Sequence, residues 1–200
     1  MVLMNIRVKK ISIIAMFSAI GGILMFLDFQ LPMFLSFMKM DLSDLPVIVG
    51  GFIFGPLDSI IIAAVKILVK LILKPTSTIY VGELANFIGS IMYALPASLI
   101  YMKFKNKKRA IIGLLVGTLV ASVGITICNM MFIFPFYMKL FHITDEIIVA
   151  MCNKIFPYID NMTKVYLLSV LPFNLLKYGI SSVITFIFYK KISKMIKYIL

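Results

Sequence analysis

Leu45-Pro-Val-Ile-Val-Gly-Gly-Phe-Ile-Phe-Gly55-Pro56-Leu-Asp58-Ser-Ile-Ile-Ile-Ala-Ala-Val-Lys66-Ile-Leu-Val-Lys70-Leu-Ile-Leu73 is the stretch on which the fold turns. It is longer than the roughly 20 apolar residues that one membrane-spanning helix needs. Gly55-Pro56 and then Asp58 interrupt it, and proline ends or kinks a helix. The stretch therefore reads as one kinked span or as two short ones. Working outward, Ile11–Leu27, Leu84–Met102, Ala110–Phe134 and Tyr166–Tyr189 are apolar runs of spanning length. Arg7, Lys9 and Lys10 precede the first run and Asp28-Phe-Gln-Leu-Pro32 follows it, with no small-residue cleavage site. It reads as a retained helix rather than a signal peptide.

Composition sets the class. Of the 200 residues, 62% are hydrophobic and 14% charged, and the mean hydropathy is +1.07. Soluble domains are near half apolar and about a quarter charged, so this chain cannot cover itself in water. Six spans leave no room for a soluble catalytic domain. The net charge of +12 fits basic cytoplasmic loops better than a nucleic-acid partner.

Charge parity settles the ambiguous stretch. If 45–73 is a single span, the basic loop Lys103-Phe-Lys105-Asn-Lys107-Lys108-Arg109 faces outside. If it is two, that loop and both termini face the cytoplasm. Twelve of the twenty basic residues then lie inside, counting Lys190, Lys191, Lys194 and Lys197 at the C-terminus. Seven of the eight acids fall in or beside the outer loops: Asp28, Asp41, Asp44, Glu83, Asp145, Glu146 and Asp160. The expectation is an all-α integral membrane protein with six transmembrane helices and cytoplasmic N- and C-termini. A single domain over 1–200 has helices near 11–27, 45–55, 59–74, 83–102, 110–134 and 166–189, the second and third short. The segment 28–44 is read as an outer lid loop, and 137–165 as a second outer loop holding a solvated His142.

Polar residues inside a span are functional by default. Asn129 lies near the outer end of the fifth run, about 8 Å deep. Asn174 and Lys177 share a face of the last helix, about 12 to 17 Å deep. Glu83 and Asn86 open the fourth helix in Gly82-Glu-Leu-Ala-Asn-Phe87. These groups line one cavity opening outward. Interhelical hydrogen bonding explains Asn129 alone equally well, but Asn174 with Lys177 favours a site, since a buried ammonium needs an acceptor. Lys66, Lys70 and Lys74 repeat every four residues. Lys70 and Lys74 are expected to snorkel outward, and Lys66 to pair with Asp58 or Glu83.

Two helices carry small residues at spacings that admit close approach. One set is Ala15 and Ala19, with Ser12 and Gly22 on nearly the same face. The other is Gly113, Gly117 and Ala121. One set packs within the bundle and the other meets a partner; the spacing does not say which. Cys128, Cys152 and His142 form no metal, disulfide or nucleophile pattern, and no G-x-x-x-x-G-K-[ST] or H-E-x-x-H is present. No catalytic or metal-binding residue is assigned, and the chain is not read as an enzyme.

Several of these segments resemble the substrate-binding S components of energy-coupling-factor (ECF) vitamin transporters, most closely the riboflavin-specific branch. They are Ala15-Met-Phe-Ser-Ala19, Leu31-Pro-Met-Phe34, Asp41-Leu-Ser-Asp-Leu-Pro46, Gly55-Pro56, Gly82-Glu-Leu-Ala-Asn-Phe87, Asn129 and Asn174-Leu-Leu-Lys177. The resemblance implies a six-helix, multi-pass protein of the bacterial cytoplasmic membrane. It implies that riboflavin is the transported ligand rather than a cofactor, and that Asn129, Asn174 and Lys177 hold it; Glu83, Asn86 and Asp41 complete the expected site. Ala15 and Ala19 would contact a transmembrane coupling subunit powered by two ATP-binding subunits, with 28–44 covering the entrance. The alternatives are an S component for a thiamin- or pyridoxine-type vitamin, or a membrane scaffold with a structural Asn/Lys network.

Overall fold

Gly55 and Pro56 divide the decisive stretch in two. In the computed structural model, which describes residues 6–189 with 191 and 194, Gly55 takes φ 115°, a value suited to glycine. It closes α2 (Asp44–Phe54), and Pro56 then starts α3 (Pro56–Leu73) at the position where a missing N–H is harmless. Thus α3 begins three residues before the expected Ser59. Lys190 and Lys197, counted above as C-terminal charges, lie outside the described residues.

Before this pair comes α1 (Ile6–Phe26), then a two-stranded antiparallel hairpin, β1 (Phe29–Gln30) with β2 (Lys39–Met40). The segment expected as a lid is an ordered hairpin, the plug: Phe29, Gln30, Pro32 and Met33 are exposed, and its later residues pack inward. Phe34, Leu35, Met38 and Met40 are buried in the core, because their apolar side chains gain more in the bundle than at its surface.

The remaining helices are α4 (Val81–Met102), α5 (Lys107–Phe141), α6 (Asp145–Asn153) and α7 (Met162–Ile187). Helix α5 corrects the expected end at residue 134. It runs 35 residues without a break, passing Pro135 through a wide π-turn at Asn129–Ile133. The wide turn accommodates a proline that an ordinary turn would reject. Helix α7 repeats the device, with a π-turn at Tyr166–Val170 just before Pro172. The span expected to be loop, 137–165, instead holds the end of α5, all of α6 and the first turn of α7. Exposed His142 terminates α5 in the left-handed region at φ 52°.

Among the described residues, α1, α4, α5 and α7 are long and apolar enough to cross a membrane. Helix α2 has only 11 residues, and α3 carries Asp58, Lys66 and Lys70. The two small-residue faces have opposite fates. Gly113, Gly117 and Ala121 are buried, and Cβ atoms at 113 and 117 would lie 2.6 and 2.5 Å from the Ala97 and Tyr93 carbonyl oxygens of α4. Ala15 and Ala19 are exposed. Gly22 does not share their face: it is buried against Val69 and Lys66 of α3.

Candidate ligand-binding site

Charges buried among apolar helices must be paired, and α3 carries a ladder of such pairs. Lys66 Nζ donates to Asp44 Oδ1 at 2.7 Å, and to Ser43 Oγ and Ser90 Oγ at 2.8 Å each. Lys70 pairs with Glu83, which also accepts from Thr76 and Thr78 hydroxyls at 3.0 and 3.1 Å. Lys74 reaches Asp28 at 3.2 Å. These pairings correct two expectations. Lys66 pairs with neither Asp58 nor Glu83, because Asp58 lies two turns away along α3, about 12 Å. Asp58 binds Lys10 instead, at 2.9 Å. Lys70 does not snorkel; it is buried against Glu83.

A further pair joins the plug to the last helix. Lys177 Nζ donates to Asp41 Oδ2 at 2.9 Å, and Asn86 Nδ2 donates to the same oxygen at 3.1 Å. The backbone N–H of Ser43 takes Asp41 Oδ1 at 2.9 Å. Burial alone would raise the Asp41 carboxyl. Lys177, then Lys66 and the Ser43 hydrogen bond, overcome it and hold the pKa at about 2. Asp41 is thus a fixed anion tying the segment after β2 to α4 and α7.

Above this tie lies a cavity of about 320 Å³, at the small end of the range for ligand sites. Asp41, Glu83, Asn86, Asn129, Asn174 and Lys177 all line it. Asn129 opens the π-turn of α5 and donates its Nδ2 to the Ile125 carbonyl at 2.7 Å. Asn174 does the same to Val170 at 2.8 Å. In each case one of the two amide N–H donors is used within its own helix, which leaves the second N–H and the side-chain oxygen for a guest. Among the described residues Lys177 has Asp41 as its hydrogen-bond partner, so two of its three N–H donors remain for a guest.

The walls include residues the sequence reading did not single out. Phe37 and Met38 come from the plug, Phe134 and Tyr137 from beyond the π-turn, and Phe173 and Tyr178 from α7. Phe37 packs on Phe134 and Tyr137 at ring separations of 5.5 and 5.0 Å, and Phe34 packs edge-on against Phe173 at 5.2 Å. The one sequence signal for them was Phe134-Pro-Phe-Tyr137, an aromatic cluster just past the polar Asn129. The arrangement suits a flat, partly aromatic guest whose polar edge meets an ammonium and two amides.

Membrane helices around a partly open cavity, with polar groups converging from α4, α5, α7 and the plug, define a membrane-embedded binding protein for a small solute. The chain belongs to the substrate-specific components of ECF transporters: that family's profile, described as "ECF transporter, substrate-specific component", matches residues 9–189. It is 30% identical to the riboflavin transporter RibU of Staphylococcus aureus (strain TCH60) over 190 residues, 94% of this chain and 93% of that one. It is 33% identical to the riboflavin transporter FmnP of Bacillus subtilis (strain 168) over 137 residues, 68% and 72% of the two chains. A solved structure described as "Structure and mechanism of the S component of a bacterial ECF transporter" superposes with a TM-score of 0.73 at 28% identity, covering 94% of this chain and 98% of that one.

Proposed function

We propose that this protein binds riboflavin in the cavity and hands it across a bacterial cytoplasmic membrane as the specificity subunit of an ECF transporter. The observation that carries the proposal is the convergence of Asn129, Asn174 and Lys177 on a cavity walled by Phe37, Phe134, Tyr137 and Phe173. Riboflavin has a flat tricyclic ring with an apolar edge and a carbonyl- and imide-rich edge. The ring fits between the aromatic walls. Lys177 donates to a ring carbonyl or ribityl hydroxyl, and the amide oxygens of Asn129 and Asn174 accept from the imide N–H or from hydroxyls. Asp41 and Asn86 hold Lys177 in place, and Glu83 with Lys70 forms the polar rim. The names of the relatives from Staphylococcus aureus and Bacillus subtilis support the choice of vitamin.

The whole chain acts in this reading as one domain of six spans with both termini in the cytoplasm, as the charge distribution favours. The short α2 and charged α3 cross together behind the shelter of their neighbours. Ala15 and Ala19, exposed on α1, form the face on which the coupling subunit docks, and two ATP-binding subunits supply the energy. A ligand screen on the purified protein tests the vitamin. Freshly purified protein should be yellow and fluorescent, or should quench added riboflavin. Binding of thiamin or pyridoxine with no response to riboflavin would reject this assignment.

A further inference from the structure

At the end of the bundle opposite the cavity, the charges obey a different logic. Lys103, Lys105, Lys107 and Lys108 are exposed, with Arg109 half-buried beside them. The sequence contains no Asp or Glu between Glu83 and Asp145, and none after Asp160. The cluster therefore has no acid of its own nearby in the chain, unlike the paired lysines of α3. Its placement is also locally unfavourable: Lys107, Lys108 and Arg109 occupy the first turn of α5, where the helix dipole repels cations. Asn106 caps that turn, accepting from the Arg109 N–H at 2.9 Å, but it does not neutralise the charge.

Exposed aromatic rings are interleaved with these cations. The Arg109 guanidinium lies 4.6 Å from the Phe104 ring centre, and Lys103 Nζ lies 5.9 Å from it. Lys107 Nζ sits 5.1 Å from the exposed ring of Phe186, which brings the loop against the end of α7. Lys191 Nζ sits 5.4 Å from exposed Phe188. The loop follows the last residue of α4 and precedes α5, so it lies at headgroup depth. Rings at that depth enter the acyl boundary while the cations beside them reach phosphate.

We infer that this end is a binding surface for anionic phospholipid, with headgroup phosphates seated on Arg109, Lys103 and Lys107 and the rings of Phe104 and Phe186 in the acyl layer. A bilayer fits better than an acidic protein face. The cations lie just past α4, in the first turn of α5 and just past α7, and the hydrophobic rings beside them match a headgroup–acyl boundary. An anionic leaflet also answers the dipole conflict at α5, since each nearby cation gains from the negative surface. Placement in the inner leaflet rests on the orientation proposed above.

The test is the unfolding temperature of the full ligand-free chain in nanodiscs of phosphatidylcholine, with and without phosphatidylglycerol. Nanodiscs carry the same lipid on both faces, so the outcome does not depend on orientation or on the vitamin. Phosphatidylglycerol should raise the wild-type temperature by roughly 5 °C, and high salt should erase the gain. Inorganic phosphate should not reproduce it. The variant carrying K103Q, K107Q, K108Q and R109Q should lose the gain, whereas K154Q with K164Q, at the other end, should keep it. If the fourfold variant does not fold, mass spectrometry of lipid retained by the wild type decides, with phosphatidylglycerol enriched at least fivefold over phosphatidylethanolamine. An unchanged gain in the fourfold variant, no gain in the wild type, or no enrichment overturns the inference. A fourfold variant that keeps the lipid gain but loses a coupling subunit assigns the surface to protein instead.

Discussion

Two buried lysine–aspartate pairs, Lys66–Asp44 and Lys177–Asp41, share chemistry and differ in surroundings. Lys66 is fully enclosed and uses all three N–H donors on Asp44, Ser43 and Ser90. Lys177 borders the cavity, and its partner Asp41 belongs to the plug rather than to a spanning helix. The ammonium of the first pair is saturated and holds α2, α3 and α4 together. The second keeps donor capacity in reserve where a guest would sit. In the proposed reading, spare donor capacity beside the cavity marks Lys177 for a guest, whereas the full donor set of Lys66 marks it as structural.

The comparison breaks most readily at Lys66. Lys66→Met leaves the buried Asp44 carboxylate without its cation, with the Ser90 hydroxyl still donating to Oδ1 and Oδ2 unpartnered, and should cost about 3–5 kcal/mol of stability, seen as a lowered unfolding temperature. Adding Asp44→Leu should restore most of it. A Lys66→Met protein of wild-type stability would show that the pair is not structural.

Next in size, Lys177→Ala should weaken riboflavin binding by about 1.5–3 kcal/mol, read as the shift in Kd by fluorescence titration. Pairing it with Asp41→Asn should recover stability but not affinity, which separates the two roles. Equal affinity in Lys177→Ala would remove Lys177 from the site.

The small-residue faces give the third contrast. Gly117→Ala drives a methyl into the Tyr93 carbonyl and should cost roughly 1–3 kcal/mol of stability. Ala19→Trp, on the exposed face, should leave stability and binding unchanged while abolishing uptake with the coupling subunit. Loss of riboflavin binding in Ala19→Trp would place that face inside the bundle.

The smallest effect is with pH. The Asp41 carboxyl is depressed from 3.8 to about 2 in the folded protein. Its stabilisation is therefore complete above pH 3.8 and fades as pH falls toward 2. Affinity measured from pH 5 to 8 should be flat as far as this pair is concerned. A fall with a midpoint inside that range would mean that Asp41 is not held as a carboxylate by Lys177.

The polar lining of the cavity was more legible in the sequence than the framework around it. Asn129, Asn174, Lys177, Glu83 and Asn86 stood out because polar groups in apolar runs are few and costly. The partners of Lys66 and Lys70 were not legible, since pairing depends on how α2 folds back at Gly55-Pro56. Local rules also misjudged the reach of α5: Pro135 signals a helix end, and only the preceding π-turn lets the helix continue. The aromatic walls were hidden because phenylalanine in a membrane chain has lipid or core as its default surroundings. For the same reason, Phe34 and Leu35 gave no hint that they pack into the core while Phe29 and Met33 of the same segment stay exposed above it.

The most direct measurement is a riboflavin titration of the purified, ligand-stripped protein, followed by quenching of flavin fluorescence. The account predicts saturable quenching at one riboflavin per chain, weakened by Lys177→Ala and unchanged per folded molecule by Ala19→Trp. Riboflavin fluorescence that stays unquenched by folded wild-type protein in a native-like bilayer would contradict it.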